Sequence, residues 1–224
     1  MDLSLLWDYG PALLDGFRVT LYCWLLGAML GLVLGFVAAL LMRLPLPPLR
    51  WLLRAIVELL RGTPFALQLF LLYSGGPAVG IRLEPVAAGV TVLGVHSAAY
   101  FAEIFRAGFA AVPHGQLNAA ASLGMSPAQI LWRISLPIML VSILPALLIM
   151  LIVISKETVI LSLITVPNLM YEIQTMASET YSAFGGILAL AIFYWSFVEL
   201  LSRAGGWIER RVTAFLPQHA GAGL

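Results

Sequence analysis

The sequence predicts an all-α polytopic membrane protein with five transmembrane helices and a cytoplasmic helix-turn-helix between spans three and four. Three observations carry this. Hydrophobic residues make up 61% of the chain and charged residues only 10%, with a mean hydropathy of +0.98, whereas a soluble domain carries about 25% charged residues. Five segments are apolar over lengths near the ~20 residues that an α-helix needs to cross a bilayer. Between the third and fourth lies a polar stretch, residues 116–127, with the stop and start signals of two short helices. Residues 1–224 read as one transmembrane domain, its helical elbow at about 113–137.

In chain order, the N-terminus is acidic and amphipathic (Asp2, Asp8, Asp15) and shows no basic region or early cleavage site, so the first span is expected to serve as the insertion signal. That span, 20–42, holds no charge. Its Gly27, Gly31 and Gly35 recur every four residues and form one face that another helix can approach closely, from the same subunit or a second one. Cys23, the single cysteine, forms no intrachain disulfide and is expected to be a small packing residue. Pro45, Pro47 and Pro48 make a turn. The second span covers 49–73, where Arg54, Glu58 and Arg61 share a face and can pair. The third, 85–112, carries His96 midway and Glu103 and Arg106 toward its end. The fourth runs 136–154 into Lys156-Glu157; 159–166 is apolar but too short to span, and 167–181 is mixed polar, partly helical, and interfacial or re-entrant. The fifth covers 183–201, before Arg203, Arg210 and Arg211.

Five spans put the termini on opposite sides. Arg43, Arg50, Arg54, Arg106, Arg133 and the C-terminal arginines lie on the elbow side, against Arg18 and Arg82 on the other. The positive-inside rule therefore predicts a cytoplasmic elbow and C-terminus and an external N-terminus.

Within the elbow, Gln116 to Leu123 are mostly good helix formers, and Gly124 supplies the left-handed residue that ends many helices. Ser126 is an N-cap with Pro127 at the first helical position, and Gln129 completes a capping box. The second helix is expected to reach about Ser135, with Pro137 opening the next span. The first helix is alanine-rich and lacks aromatics or a basic face. Such a helix inserts poorly into a membrane interface and suits a protein groove; a surface-lying connection is the alternative.

Several function classes are excluded or weakened. A net charge of +1 gives no electrostatic basis for nucleic-acid binding. The one lysine, Lys156, lies outside any G-x-x-x-x-G-K-[ST] loop, so a P-loop energy source must lie on another polypeptide. Neither H-E-x-x-H nor G-x-S-x-G occurs, which argues against an intramembrane enzyme. A stand-alone ion-coupled transporter or channel is the alternative, disfavoured because the sequence shows no internal repeat.

Ionisable residues at membrane depth are costly and usually face a cavity or one another. Arg61-Gly62-Thr63-Pro64 breaks a helix, and a break at a transport path exposes backbone groups to a solute, with Thr63 and Gln68 as side-chain partners; alternatively Arg61 and Glu58 neutralise each other. Glu103 with Arg106 is a structural pair or a gate. Lys156 and Glu157 are adjacent, hence about 100° apart on a helix. Each needs a partner elsewhere: another span, a second subunit or a zwitterionic substrate. His96 is a hydrogen-bonded packing residue or a ligand.

The elbow residues Gly115-Gln116, Asn118-Ala119-Ala120, Leu123-Gly124, Ser126 and Ile134-x-Leu136-Pro137 resemble the EAA loop of ABC-importer membrane subunits. Arg61-Gly62-Thr63-Pro64 with Gln68, Ala98-Ala99-Tyr100-Phe101-Ala102-Glu103-Ile104-x-Arg106-x-Gly108, Lys156-Glu157-Thr158 and Val166-Pro167-Asn168-Leu169 are similar to segments of the polar-amino-acid branch of these permeases. The resemblance covers nearly the whole chain. It implies a type I ABC importer fold in a bacterial inner membrane, surrounded by lipid. It also implies a cytoplasmic ATPase dimer carrying ATP and Mg, a second permease subunit and an extracytoplasmic binding protein. This chain would bind no cofactor and no metal. Gln116, Asn118, Ala119, Ala120, Gly124, Ser126 and Pro137 would couple to the ATPase. Arg61, Thr63, Gln68, His96, Glu103, Lys156 and Glu157 would line the substrate path. Two positions depart from the pattern. Asn118 stands where the family has an acid, which favours a heterodimer whose other half carries the charge, and Glu157 begins a stretch where the branch has Asp-Thr-Ser-Leu.

Overall fold

The computed structural model describes residues 9–180 and 183–213, and among them all regular structure is helical. The elements are α1 (Gly10–Leu41), α2 (Pro47–Gly62), α3 (Phe65–Tyr73), α4 (Pro85–Ala110), α5 (His114–Ser122), α6 (Pro127–Ile130), α7 (Leu136–Glu157), α8 (Leu169–Thr180) and α9 (Ala183–Thr213). Short 3-10 segments, Gly76–Val79 and Thr158–Ile164, precede α4 and follow α7. Among the described residues, four helical stretches are long and apolar enough to cross a membrane, and α2 with α3 provides a fifth if the bent pair is one span.

The bundle is organised around α1 and α4, which pack in parallel. Gly27 meets Leu93, Gly31 meets Ser97 and Gly35 meets Phe101. A Cβ on Gly35 would lie 2.6 Å from that of Phe101 and 2.8 Å from the Ala98 carbonyl oxygen. The glycine stripe therefore joins two helices of one chain. Cys23 is buried in the same core. Helix α7 runs antiparallel to α4, with Met139 and Ile143 beside Gly108. Helix α9 follows α1: the rings of Phe17 and Phe193 are 4.5 Å apart, those of Trp24 and Phe197 5.4 Å. The C-terminal ends of α1, α4 and α9 and the start of α7 thus share one end of the molecule, the elbow end.

At the opposite end the chain after α7 is tied down by buried side chains. Asn168 Nδ2 donates to the Thr158 carbonyl at 2.6 Å, and the Leu169 N–H donates to Thr20 Oγ1 at 3.0 Å. This holds the apolar segment 159–166, too short to span, as a buried 3-10 turn rather than a crossing. Within the mixed-polar stretch that follows, α8 is regular.

Three expectations are corrected. Helix α1 begins ten residues before the predicted start, because Asp15 and Arg18 form an exposed pair at 2.6 Å that lets a polar turn continue the apolar helix. Asp2 and Asp8 lie outside the described residues. Helix α9 continues past residue 201 to Thr213, where Arg203 pairs with Glu199 at 2.7 Å and Arg210 and Arg211 occupy the last turn, a favourable place for cations. The second span breaks where Arg61-Gly62-Thr63-Pro64 predicts, with α2 and α3 bent by 104°. Finally, the elbow's second helix does not stop at Ser135. It continues through a π-helical turn, Leu131–Ser135, into α7. The Leu136 N–H bonds to the Leu131 carbonyl five residues back; Pro137 follows, with no N–H to offer Arg133 and a ring that crowds the preceding turn.

Candidate functional site

The helix break is built locally. Pro64 has no N–H for the Leu60 carbonyl, and a residue before proline is pushed to extended geometry. Thr63 accordingly sits at φ −106°, ψ 140°. The freed carbonyls are then recovered from within. Thr63 Oγ1 donates to the Leu59 carbonyl at 2.9 Å. Gln68 Nε2 donates to the Leu60 carbonyl and to Thr63 Oγ1, both at 2.7 Å, and lies 3.2 Å from the Thr63 carbonyl. Gln68 Oε1 faces His96 Nδ1 at 3.1 Å. Because the Gln68 amide nitrogen is committed to acceptors, its oxygen accepts, and His96 carries its proton on Nδ1. His96 is buried between the rings of Phe65 and Tyr100, at 5.1 and 5.2 Å. The structure thus brings Thr63, Gln68 and His96 together. Their polar atoms serve one another and the chain's own backbone, in place of the solute-facing backbone expected of the break.

One turn beyond, Arg54, Glu58, Arg61, Glu103 and Arg106 line a cleft of about 300 Å³ at the elbow end. Arg106 grips Glu103 through Nε and Nη2, with distances from 2.7 to 3.1 Å. Among the described residues Glu58 makes no ion pair within 4.0 Å, so the expected pairing with Arg61 is not formed. Arg61 instead lies over the Tyr100 ring, 5.5 Å from its centroid. Tyr100 is a participant that sequence reading passed over: it touches both His96 and Arg61, and only its place one turn after His96 hinted at this.

Lys156 and Glu157 close the last turn of α7, at the other end. The rise of ~1.5 Å per residue puts Lys156 about 25 Å along α7 from Met139, which packs beside Gly108. They are therefore not part of the Arg61–Glu103 cleft. Lys156 is exposed and Glu157 half-buried, and among the described residues neither side chain has a hydrogen-bond or ion-pair partner. The predicted substrate path is two separate sets, one near each end, with the Gln68–His96 clamp between them.

The elbow matches its prediction atom by atom where the signals are local. Gly124 has φ +75°, the left-handed region that disfavours a Cβ. Gln129 N–H donates to Ser126 Oγ at 3.3 Å, and Ser126 N–H donates to Gln129 Oε1 at 2.8 Å, completing the capping box. Gln116, Asn118, Ala119 and Ser126 are exposed, while Ala120 is buried and seats α5. Leu123, at the tip, is 83% exposed. Its exposure follows from how the turn leaves the bundle, which the sequence does not display.

A family described as "Binding-protein-dependent transport system inner membrane component" matches residues 31–214. The probable glutamine ABC transporter permease protein GlnM of Bacillus subtilis is 32% identical, across 95% of this chain and 98% of that protein. The arginine transport system permease protein ArtQ of the same organism is 31% identical, across 95% and 97%. A crystal structure of an amino acid ABC transporter with histidines superposes with a TM-score of 0.88 at 34% identity, covering 94% of this chain and 99% of that one. A MetNI methionine ABC transporter structure, at 23% identity and a TM-score of 0.80, shares the fold. The exposed elbow, the all-helical bundle and these matches agree: this chain belongs to the family of inner-membrane components of binding-protein-dependent transport systems, the permease subunits of ABC importers.

Proposed function

We propose that this permease carries a polar amino acid or a derivative inward, as one half of a heterodimer. The glutamine and arginine permeases among its relatives support that cargo class. So does a chain holding both Lys156–Glu157 and Arg61–Glu103, because a zwitterion needs both charges. A binding protein delivers the solute at the Lys156–Glu157 end, outside. Arg61 and Glu103 receive it near the cytoplasm. Thr63, Gln68 and His96 fix the wall between them. The arginine-rich elbow end faces the cytoplasm, in keeping with the positive-inside rule.

The observation that carries this proposal is the elbow: exposed, internally capped and continuous with a membrane span through α6 and the π-helical turn. A displacement of α5 and α6 must move α7. Gln116, Asn118, Ala119 and Leu123 dock on a partner ATPase that holds ATP and Mg; Ala120 anchors, Gly124 turns, and Ser126 and Pro137 shape the passage into α7. Closure and reopening of the ATPase dimer draw the elbows together and apart, and the spans switch as rigid bodies between outward-open and inward-open.

The test is reconstitution of this chain with its partner permease, ATPase and binding protein in liposomes. ATP-dependent uptake of an amino acid from a panel including glutamine, arginine and cystine is expected, and it should vanish when the ATPase's Walker lysine is replaced. Uptake by this chain alone, driven by an ion gradient, contradicts the proposal.

A further inference from the structure

At the elbow end of α1, α2 and α4 lies a second cleft, of about 220 Å³, lined by Arg43, Arg50, Arg54, Arg106, Met42 and Phe109 among others. Four arginines meet there, and no carboxylate lines it. Only Arg106 is neutralised, by Glu103 from the adjoining cleft. Among the described residues, Arg43, Arg50 and Arg54 have no carboxylate within 4.0 Å. Arg43 is held over the Phe109 ring, 4.4 Å from its centroid. Arg50 Nε is buried and is, among the described residues, the one buried side-chain nitrogen or oxygen without a hydrogen-bond partner. The same guanidinium reaches the Leu44 carbonyl only at 3.4 Å through Nη2. A buried donor left unpaired is costly unless a ligand completes it.

The surroundings specify which anion fits. Leu44, Leu46, Trp51 and Leu52 flank the cleft in sequence and are 42, 51, 71 and 58% exposed. A tryptophan and leucines beside clustered arginines at the end of membrane spans suit acyl chains below and a charged headgroup above. Arginine's fork of N–H donors matches phosphate oxygens in pairs. We infer that the Arg43–Arg50–Arg54 cleft binds the phosphate of an anionic phospholipid headgroup, with the lipid's chains lying along Trp51 and Leu52. The Arg50 Nε–H would donate to a phosphate oxygen, and Arg43, steadied on Phe109, would complete the charge balance. This holds whatever the cargo, and it ties the α1–α2 turn to the membrane at the foot of the broken helix.

The test uses the assembled transporter in detergent. Phosphatidylglycerol, phosphatidylcholine and inorganic phosphate are each titrated while bound lipid is counted by native mass spectrometry. Wild-type protein should retain phosphatidylglycerol at least about tenfold more tightly than phosphatidylcholine. Arg43→Gln/Arg50→Gln should lose about tenfold or more of that preference, near fivefold per arginine. Arg18→Gln, at the other end, should lose none. Thermal stabilisation of the wild type by phosphatidylglycerol over phosphatidylcholine is expected too, and needs no variant. Equal retention of the two lipids overturns the proposal, as does an unchanged preference in the double variant. Inorganic phosphate that displaces the lipid at millimolar concentration also overturns it, assigning the cleft to a free anion.

Discussion

The helix break at Thr63–Pro64 and the elbow at Gly124–Pro127 are both short helix-turn-helix units punctuated by proline, and they are put to opposite uses. At the break, every recovered carbonyl is served from inside, by Thr63 and by a Gln68 locked onto buried His96. At the elbow, the turn satisfies itself through Ser126 and Gln129, and Gln116, Asn118 and Leu123 remain outward. A turn closed by tertiary partners is a fixed wall. A turn closed by its own residues keeps its outer face for another molecule.

The largest effect should come from breaking the inward closure. Gln68→Leu leaves the Leu60 carbonyl with only the 3.4 Å contact from Thr63 Oγ1 and the His96 Nδ1–H unpaired in a low-dielectric setting, and an unsatisfied buried group costs about 1–3 kcal/mol. Thermal melting of the purified complex should show a loss of roughly 2–4 kcal/mol; a change below about 1 kcal/mol would mean that the clamp is incidental. At the elbow the same measurement should find less. Gly124→Ala forces a Cβ into left-handed geometry at a cost of about 1–2 kcal/mol, with nothing within 4 Å for it to strike. Ser126→Ala removes one capping acceptor and should cost about 1 kcal/mol. The smallest stability effect belongs to Asn118→Glu, an exposed change expected within about 0.5 kcal/mol. It should nevertheless alter the ATPase rate of the assembled transporter, because the residue lies on the proposed docking face and not in the core. A shift in melting without any change in ATPase rate would reverse the contrast.

What could be read from the sequence divides along the same line. The capping box, the Gly124 turn and the Pro64 break are local, set by residues within four of each other, and each appears where the signals stand. The glycine stripe on α1 declared a close approach, but its partner, α4, is some 65 residues away and no pattern in α1 names it. Gln68 was visible as a polar residue, not as a staple, because its acceptors lie five and eight residues back and His96 lies 28 ahead. The clusters of Arg54, Arg61 and Glu103 and of Arg43, Arg50 and Arg106 form only when α2 folds onto α4. The full length of α1 is hidden in the sequence because hydropathy registers its apolar part alone.

The claim that the elbow is the ATPase's docking surface can be tested directly at Leu123. A photo-crosslinking phenylalanine there, in the assembled transporter, should capture the ATPase subunit, with a yield that changes when ATP is bound. A yield confined to lipid, or unaffected by removing the ATPase, would contradict the claim.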